Sequence, residues 1–421
     1  MEANTTLQRI KRLVKKPVKR ADLVIGRGIR SAYTLTQSVD PYKVFVMTFQ
    51  ETLTCNARYI VEELLRRSDQ ARIVVCGTGE PLPEFADEPR ITYVKRKSAQ
   101  QIVEQASARV WIDNALNCTW YPMMKKPNQL YLQTWHGSMG LKTIGAQNQT
   151  KRWLKSAKIS SHQTDALLSN STFESLVFRT TFWPTTPILM TGHARNDMFF
   201  DEPHMQQLGT KVHECFGVDK DARLALYAPT FRTTDLVAFD EADLDYPRLK
   251  QALEARFGGT WNIILRLHHR DKVNAGAISD TYPFVLNGTT YPDIQELMAA
   301  SEVGITDYSS WICDYVLTGR PGFIFAPDLA EYEKDDRGFY YPLSATPFPV
   351  ATSNADLVEH IASFDDDRYA ACAARYLAEL GCIEDGHASR RVADLIGEVL
   401  GKNDAIDLAT LPTFVSLVST D

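Results

Sequence analysis

Short apolar runs alternate with amphipathic stretches along most of this chain, and the alternation restarts once. Val44–Phe49 reads as a strand. Arg58–Arg67 has helical spacing that turns Tyr59, Ile60, Val61, Leu64 and Leu65 inward. Ile73–Cys76, Val110–Ile112, Leu130–Thr134, Ala166–Leu168 and Ile188–Thr191 read as further strands. Continuous apolar runs that end in Gly or Asn are the mark of parallel strands buried on both faces. A polar, less periodic stretch from Phe200 to about Arg223 reads as an interdomain connection. The pattern then resumes with strands at Leu224–Tyr227, Ile263–Leu267, Phe284–Leu286, Val303–Thr306 and Gly322–Phe325. Pro247–Phe257, Ile294–Ala300 and Ser309–Leu317 read as the helices between them, and Asp356–Ser363 and Ser389–Leu400 as closing helices.

This order predicts two doubly wound α/β halves facing across a cleft. A chain of 421 residues also suits two domains better than one. The expected division is a basic arm over 1–42, an N-terminal domain over 43–200, a C-terminal domain over 201–405 and an unassigned tail over 406–421.

Composition narrows the class. Hydrophobic content of 44% and charged content of 23% describe an ordinary globular chain. No run of about 18 apolar residues is present to span a bilayer, and the first residues lack a signal-peptide core. The 7 cysteines are scattered without a CxxC pair. They indicate neither a disulfide framework nor a zinc site and fit a reducing cytoplasm. The net charge of −6 hides an asymmetry: residues 1–50 carry ten Lys/Arg against three acids, which is +7, and the remainder carries 36 against 49, which is −13. A basic arm beside Ile10, Leu13, Val14 and Val18 suits an anionic membrane surface. A solvated tail is the plain alternative. Nucleic acid is disfavoured because no aromatic residues interleave the cluster.

Candidate chemistry gathers at strand ends. In VGITDYSSWICDY, residues 303–315, a strand hands over to a helix at Asp307-Tyr308-Ser309-Ser310. Two hydroxyls beside a helix start can bind an anion, although Ser and Asp are also the preferred caps. In LQTWHGSMGLKTIG, residues 132–145, His136 follows a strand and can reach a cleft as a general base. Gly137 allows a close backbone approach, and Lys142 can meet a phosphate. In TGHARND, residues 191–197, Arg195 and Asn196 can bond a ligand, hold the hinge, or form a turn with an internal Arg–Asp pair. Thr230 and Arg232 follow the strand in LYAPTFR, residues 226–232. His268 and Arg270 end LRLHHR, residues 265–270, and suit a diphosphate. Arg337 lies in a loop among acidic residues, where a surface ion pair is the bland alternative. No Walker motif, GxGxxG, DxD-like metal pair or GxSxG elbow is present. The set points to handling of a phosphorylated ligand without a metal or other cofactor.

Six segments, in order, resemble the CDP-glycerol glycerophosphotransferases, the polymerases and primases of teichoic acid and related capsule synthesis. WHGSMGLKTIG resembles that family's W-H-G-T-P-L-K-K-I-G, TGHARND its G-N-P-R-N-D, and YAPTFR its Y-A-P-T-W-R. ITDYSSWICDYVLTGRP resembles its I-T-D-Y-S-S block, AEYEKDDRGFYYP its E-Y-…-R-G-F-Y block, and EDGHASRRVADLI its D-G-x-A-S-x-R-V helix. The resemblance implies a GT-B fold, peripheral attachment to the inner membrane face, and CDP-glycerol as donor with CMP released. It implies His136 as the base on an acceptor hydroxyl, and places His268, Ser309, Ser310 and Arg337 near the donor diphosphate. The chain departs from the pattern by one extra residue at Ser138-Met139-Gly140, by His193 and Ala194 in place of Asn and Pro, and by the second His of LHHR. CDP-ribitol is an alternative donor, and a nucleotide-sugar glycosyltransferase of the same fold is an alternative activity. Acceptor, oligomeric state, and priming against polymerising stay open.

Overall fold

The computed structural model describes residues 32–49, 52–78, 80–116, 123–144, 161–230, 244–267, 272–330 and 338–418, and singly Gly28, Leu154, Ala157, Lys158 and Tyr332. The first seven strands are β1 (Asp40–Met47), β2 (Arg72–Gly77), β3 (Ile91–Lys95), β4 (Ala108–Asp113), β5 (Leu130–Gln133), β6 (Ala166–Ser169) and β7 (Ile188–Met190). They form one sheet in the order β3-β2-β1-β4-β5-β6-β7. The next six are β8 (Arg223–Tyr227), β9 (Trp261–Leu265), β10 (Val285–Asn287), β11 (Val303–Thr306), β12 (Gly322–Phe325) and β13 (Val350–Ala351). They form a second sheet in the order β10-β9-β8-β11-β12-β13. Every pairing in both sheets is parallel. Each sheet reverses its winding once, between β1 and β4 in the first and between β8 and β11 in the second. Open α/β sheets bind ligands at the carboxyl ends of the strands flanking such a reversal.

The strands form where the apolar runs require it. Val44, Phe45, Val46, Ile263, Ile264 and Leu265 are fully buried, so each run needs cover on both faces. Helices α1 (Cys55–Arg67), α2 (Ala99–Ser107) and α3 (Thr172–Arg179) cover the first sheet, and α4 (Glu202–Phe216) leads to the second. Then follow α5 (Tyr246–Phe257), α6 (Lys272–Thr281), α7 (Ile294–Ala300), α8 (Trp311–Tyr315), α9 (Asn354–Ala362), α10 (Asp366–Glu379), α11 (Ala388–Val399) and α12 (Pro412–Leu417). No helix among the described residues is long and apolar enough to cross a membrane.

The segment read as an irregular connection is the fifteen-residue helix α4. Asp201 caps it by accepting the His204 amide, Pro203 sits in its first turn, and Gly217 ends it at φ 65°. Its apolar stripe of Met205, Leu208 and Val212 is narrow, which is why periodicity alone did not reveal it. The helix expected over Ser309–Leu317 is shorter. It ends at Tyr315 and tightens into a 3₁₀ turn over Val316–Thr318. A helix this brief carries little dipole, so any anion here must be held by side chains.

The two lobes are tied at several points. Arg58 of α1 meets Asp293 at 3.3 Å and Glu296 at 2.9 Å, and Tyr59 donates to Asp293 at 2.9 Å. The chain also returns: Val392, Leu395, Ile396 and Val399 of α11, with Leu411 and Phe414 beyond it, complete the apolar core of the first sheet. Asp197 begins that return by accepting the Ala388 and Ser389 amides at 2.8 and 2.7 Å, which caps α11.

Candidate active site in the interlobe cleft

His136 stands three residues beyond β5, at the tip of the first sheet. The residue before it, Trp135, has φ 52°, a left-handed conformation that a bulky residue adopts only when its surroundings enforce it. The Trp135 amide donates to Gln133 Oε1 at 2.9 Å, and its ring packs edge-on to Trp183 at 5.4 Å. His136 lies between the rings of Trp135 and Phe49, at centroid distances of 4.6 and 4.7 Å. Its Nδ1 is 2.6 Å from the carbonyl oxygen of Asn114. A carbonyl only accepts, so Nδ1 carries the proton. In the neutral ring, Nε2 is then the unprotonated nitrogen. Asn114 is itself at a strand tip, just past β4, where its Oδ1 accepts the Phe49 amide at 2.9 Å.

Two cavities meet at this histidine. The first, about 1150 Å³ of open space, is lined by His136, Gly137, Lys142, Glu174, Ser309 and Ser310, with an apolar wall that includes Val177, Phe178 and Phe182. The second, about 750 Å³, is lined by His136, Arg195, Arg266, Asp293, Ser309 and Ser310 among others. His136 comes from the first lobe and the two serines from the second, and all three face both spaces. Thr230 and Asp307 line neither. Asp307 is buried and accepts the Thr230 amide at 2.8 Å, clamping the tip of β8 to that of β11. Lys142 Nζ is 3.4 Å from Thr230 Oγ1. Arg232, His268, Arg270 and Arg337 lie outside the described residues, as does the basic arm up to Gly28.

The loop carrying His136 is held from both sides by a buried ring of hydrogen bonds. Arg195 donates to the Gly137 carbonyl at 2.7 Å and to Asp314 at 2.8 Å. Asn196 donates to Asp314 at 3.0 Å and to Glu384 at 2.8 Å. Asn170 donates to Glu384 at 3.0 Å and to Ser138 Oγ at 3.2 Å. The ring thus starts at Gly137 and ends at Ser138. Arg195 pairs with Asp314 of α8, and not with the Asp197 of its own motif. Burial alone would weaken the charge on Arg195, but the neighbouring Asp314 carboxylate more than offsets it, and the guanidinium holds its proton more tightly than usual. Burial pushes the Glu384 carboxyl up to about 7, against the opposing pull of His193, Asn196 and Asn170. Gly192 has φ 80°, and a Cβ there would stand 2.8 Å from Glu384 Oε2, so only glycine fits. Asn114, Asn170, Asp314 and Glu384 were not singled out in the sequence. Their one local signal is position, since Asn114 and Asn170 each follow a strand directly.

Two parallel doubly wound sheets with their winding reversals turned to a common cleft define a GT-B-like architecture. The chain belongs to the CDP-Glycerol:Poly(glycerophosphate) glycerophosphotransferase family, whose model matches residues 30–398. It is 27% identical over 390 residues to a teichoic acid poly(glycerol phosphate) polymerase of Staphylococcus epidermidis, a match covering 87% of this chain and 52% of that one. It thus spans about half the length of that relative. It is 25% identical over 357 residues to the polymerase of the same name from Bacillus spizizenii, covering 83% of this chain and 89% of the relative. A teichoic acid ribitol-phosphate primase of Bacillus spizizenii is 30% identical over 291 residues, covering 66% of this chain and 72% of the primase. Among solved structures, a variant of the wall teichoic acid polymerase TagF soaked with CDPG superposes with a TM-score of 0.76 at 26% identity, covering 92% of this chain and 98% of that one.

Proposed function

We propose that the protein transfers glycerol phosphate from CDP-glycerol to an acceptor hydroxyl of a teichoic-acid-like or capsular polymer, or of its lipid-linked primer, and releases CMP. The observation that carries this reading is the meeting at one point of a His136 oriented through Nδ1 and two serine hydroxyls of the opposite lobe, with a cavity on either side. The second cavity sits at the carboxyl ends of β9 and β11, where the donor diphosphate is expected. The first then takes the acceptor. His136 Nε2 removes the acceptor proton as the oxygen attacks the phosphorus bearing glycerol. The phosphoanhydride bond breaks, and CMP leaves with its electron pair. Ser309 and Ser310 donate to the phosphate oxygens as charge moves onto the leaving group. His268, Arg232, Arg270 and Arg337 are proposed to complete the donor site. Lys142, Arg195, Thr230 and Asp307 are proposed to shape its surroundings, Arg195 and Asp307 through the backbone they hold. The rate then rests on positioning, one base and neutralised phosphate charge.

The basic arm supports attachment to the inner face of the cell membrane. CDP-ribitol is the second reading for the donor, favoured by the 30% identity to a ribitol-phosphate primase. Incubation with CDP-glycerol, CDP-ribitol and UDP-sugars in turn, with the released nucleotide identified by mass, tests both. CMP from CDP-glycerol is the expected product. Release from UDP-sugars alone would reject the proposal.

A further inference from the structure

The acceptor cavity holds a carboxyl group that the proposed reaction leaves idle. Glu174 is on α3, three residues past its cap Ser171, and only 2% of its side chain is exposed. One of its oxygens is fully occupied. Oε2 accepts from the Asn170 amide at 3.0 Å and from Ser169 Oγ at 3.3 Å, and His193 Nε2 lies 3.0 Å from it. The other, Oε1, has no hydrogen-bond partner among the described residues. It is also not sealed into the core, because Glu174 lines the same cavity as His136, Lys142 and Ser309. A nearly buried carboxyl oxygen left without a donor is costly, and native structures keep few of them. One that opens only into a ligand cavity has its donor supplied by what enters.

We infer that Glu174 Oε1 accepts a hydrogen bond from a second hydroxyl of the acceptor, distinct from the one His136 deprotonates. The inference rests on the reading of this cavity as the acceptor side. The acceptor end is therefore a polyol or sugar with at least two hydroxyls. Its charged part belongs away from Glu174, toward Lys142, since a carboxylate beside a phosphate is repulsive. The Asn170 amide and Ser169 hydroxyl, by holding Oε2, leave Oε1 as the oxygen turned to the cavity.

Glu174→Gln is the informative variant. The Asn170 amide and Ser169 hydroxyl still need an acceptor, so the amide oxygen takes the Oε2 place and the NH₂ faces the cavity. Shape is kept while an acceptor becomes a donor. The probes are a di(glycerol phosphate) and its analogue lacking one terminal hydroxyl. Both are titrated calorimetrically into the full-length protein without any donor. Wild type is expected to bind the deoxy analogue about tenfold more weakly or worse, the scale of a hydrogen bond to a charged group. In Glu174→Gln the same hydroxyl can only accept a weaker neutral bond from the NH₂, so the parent probe should bind more weakly and the preference for it should shrink to about threefold or less. In turnover the same loss should appear in the acceptor KM, with the CDP-glycerol KM unchanged. A wild type that binds both probes equally, or neither, overturns the inference. So does a variant that keeps the full preference for the parent probe, which is the behaviour of a purely structural Glu174. Absence of CMP release from any CDP-polyol would overturn the proposed reaction and leave the binding result standing.

Discussion

Arg195 Nε lies 2.8 Å from Asp314 Oδ2, and this buried bond joins the tip of the first sheet to the short helix of the second lobe. The same guanidinium holds the Gly137 carbonyl, one residue from His136. Replacing Asp314 by Asn leaves a buried cation without its counter-charge. The expected cost is about 3–5 kcal/mol of stability, read by urea unfolding. The double replacement Arg195→Met with Asp314→Leu should recover much of that stability while activity stays low, because the Gly137 anchor is gone. Full activity in a folded double variant would show that the anchor is dispensable.

His136→Ala should lower kcat by about a hundredfold or more, the scale of a lost general base, with circular dichroism unchanged. His136→Asn keeps the polar contact to Asn114 but offers no base, and it should be equally slow. Turnover within tenfold of wild type in either variant would remove His136 from the mechanism.

Ser309→Ala and Ser310→Ala each delete a hydroxyl that faces both cavities. Each is expected to reduce kcat/KM for the CDP donor by about tenfold or more. Donor kinetics at saturating acceptor measure this. An effect confined to the acceptor KM would move the serines out of the donor site.

Glu384 makes stability depend on pH in a stated direction. Its folded pKa of about 7 stands above the ordinary carboxyl value, because burial disfavours the charge. The folded state therefore binds the proton more tightly than the unfolded chain does. Stability from this group is fully present below about pH 4.5, falls as pH rises to about 7, and is flat beyond. Of the charged or titratable neighbours that act on it, His193 pulls its pKa down and Asp314 pushes it up. The difference in Tm between wild type and Glu384→Gln should thus be more favourable to wild type at pH 5 than at pH 8. A difference that does not move with pH would show that Glu384 keeps an ordinary pKa.

The basic arm should matter only where anionic lipid is present. Deleting residues 1–40 is expected to weaken flotation with anionic vesicles, and added salt to do the same for the full chain. Partitioning that neither deletion nor salt alters would argue against an electrostatic anchor.

Much of this molecule is legible from the order of its residues. Parallel strands buried on both faces leave apolar runs such as Val44–Val46 and Ile263–Leu265, and the two sheets follow from them. The edge strand Ile91–Lys95 was missed because only Ile91 and Val94 of its five residues are buried, which gives no alternating pattern. Helix α4 was missed because only three buried apolar side chains in fifteen make a faint stripe. His136, Ser309 and Ser310 could be named because each lies within four residues of a strand end. The ring behind them could not. Asn170 and Glu384 are 214 positions apart, and Arg195 and Asp314 are 119 apart. Side chains such as these look like ordinary surface polarity until the fold closes around them.

The late return of α11 has a bearing on how the protein is made. Until residue 399 has left the ribosome, the first sheet lacks the side chains of Val392, Leu395, Ile396 and Val399 that shield its helix α1. A nascent chain more than three hundred residues long therefore carries a bare, sticky flank, a natural target for trigger-type chaperones. The same wiring means that residues 43–200 expressed alone would lack part of their own core.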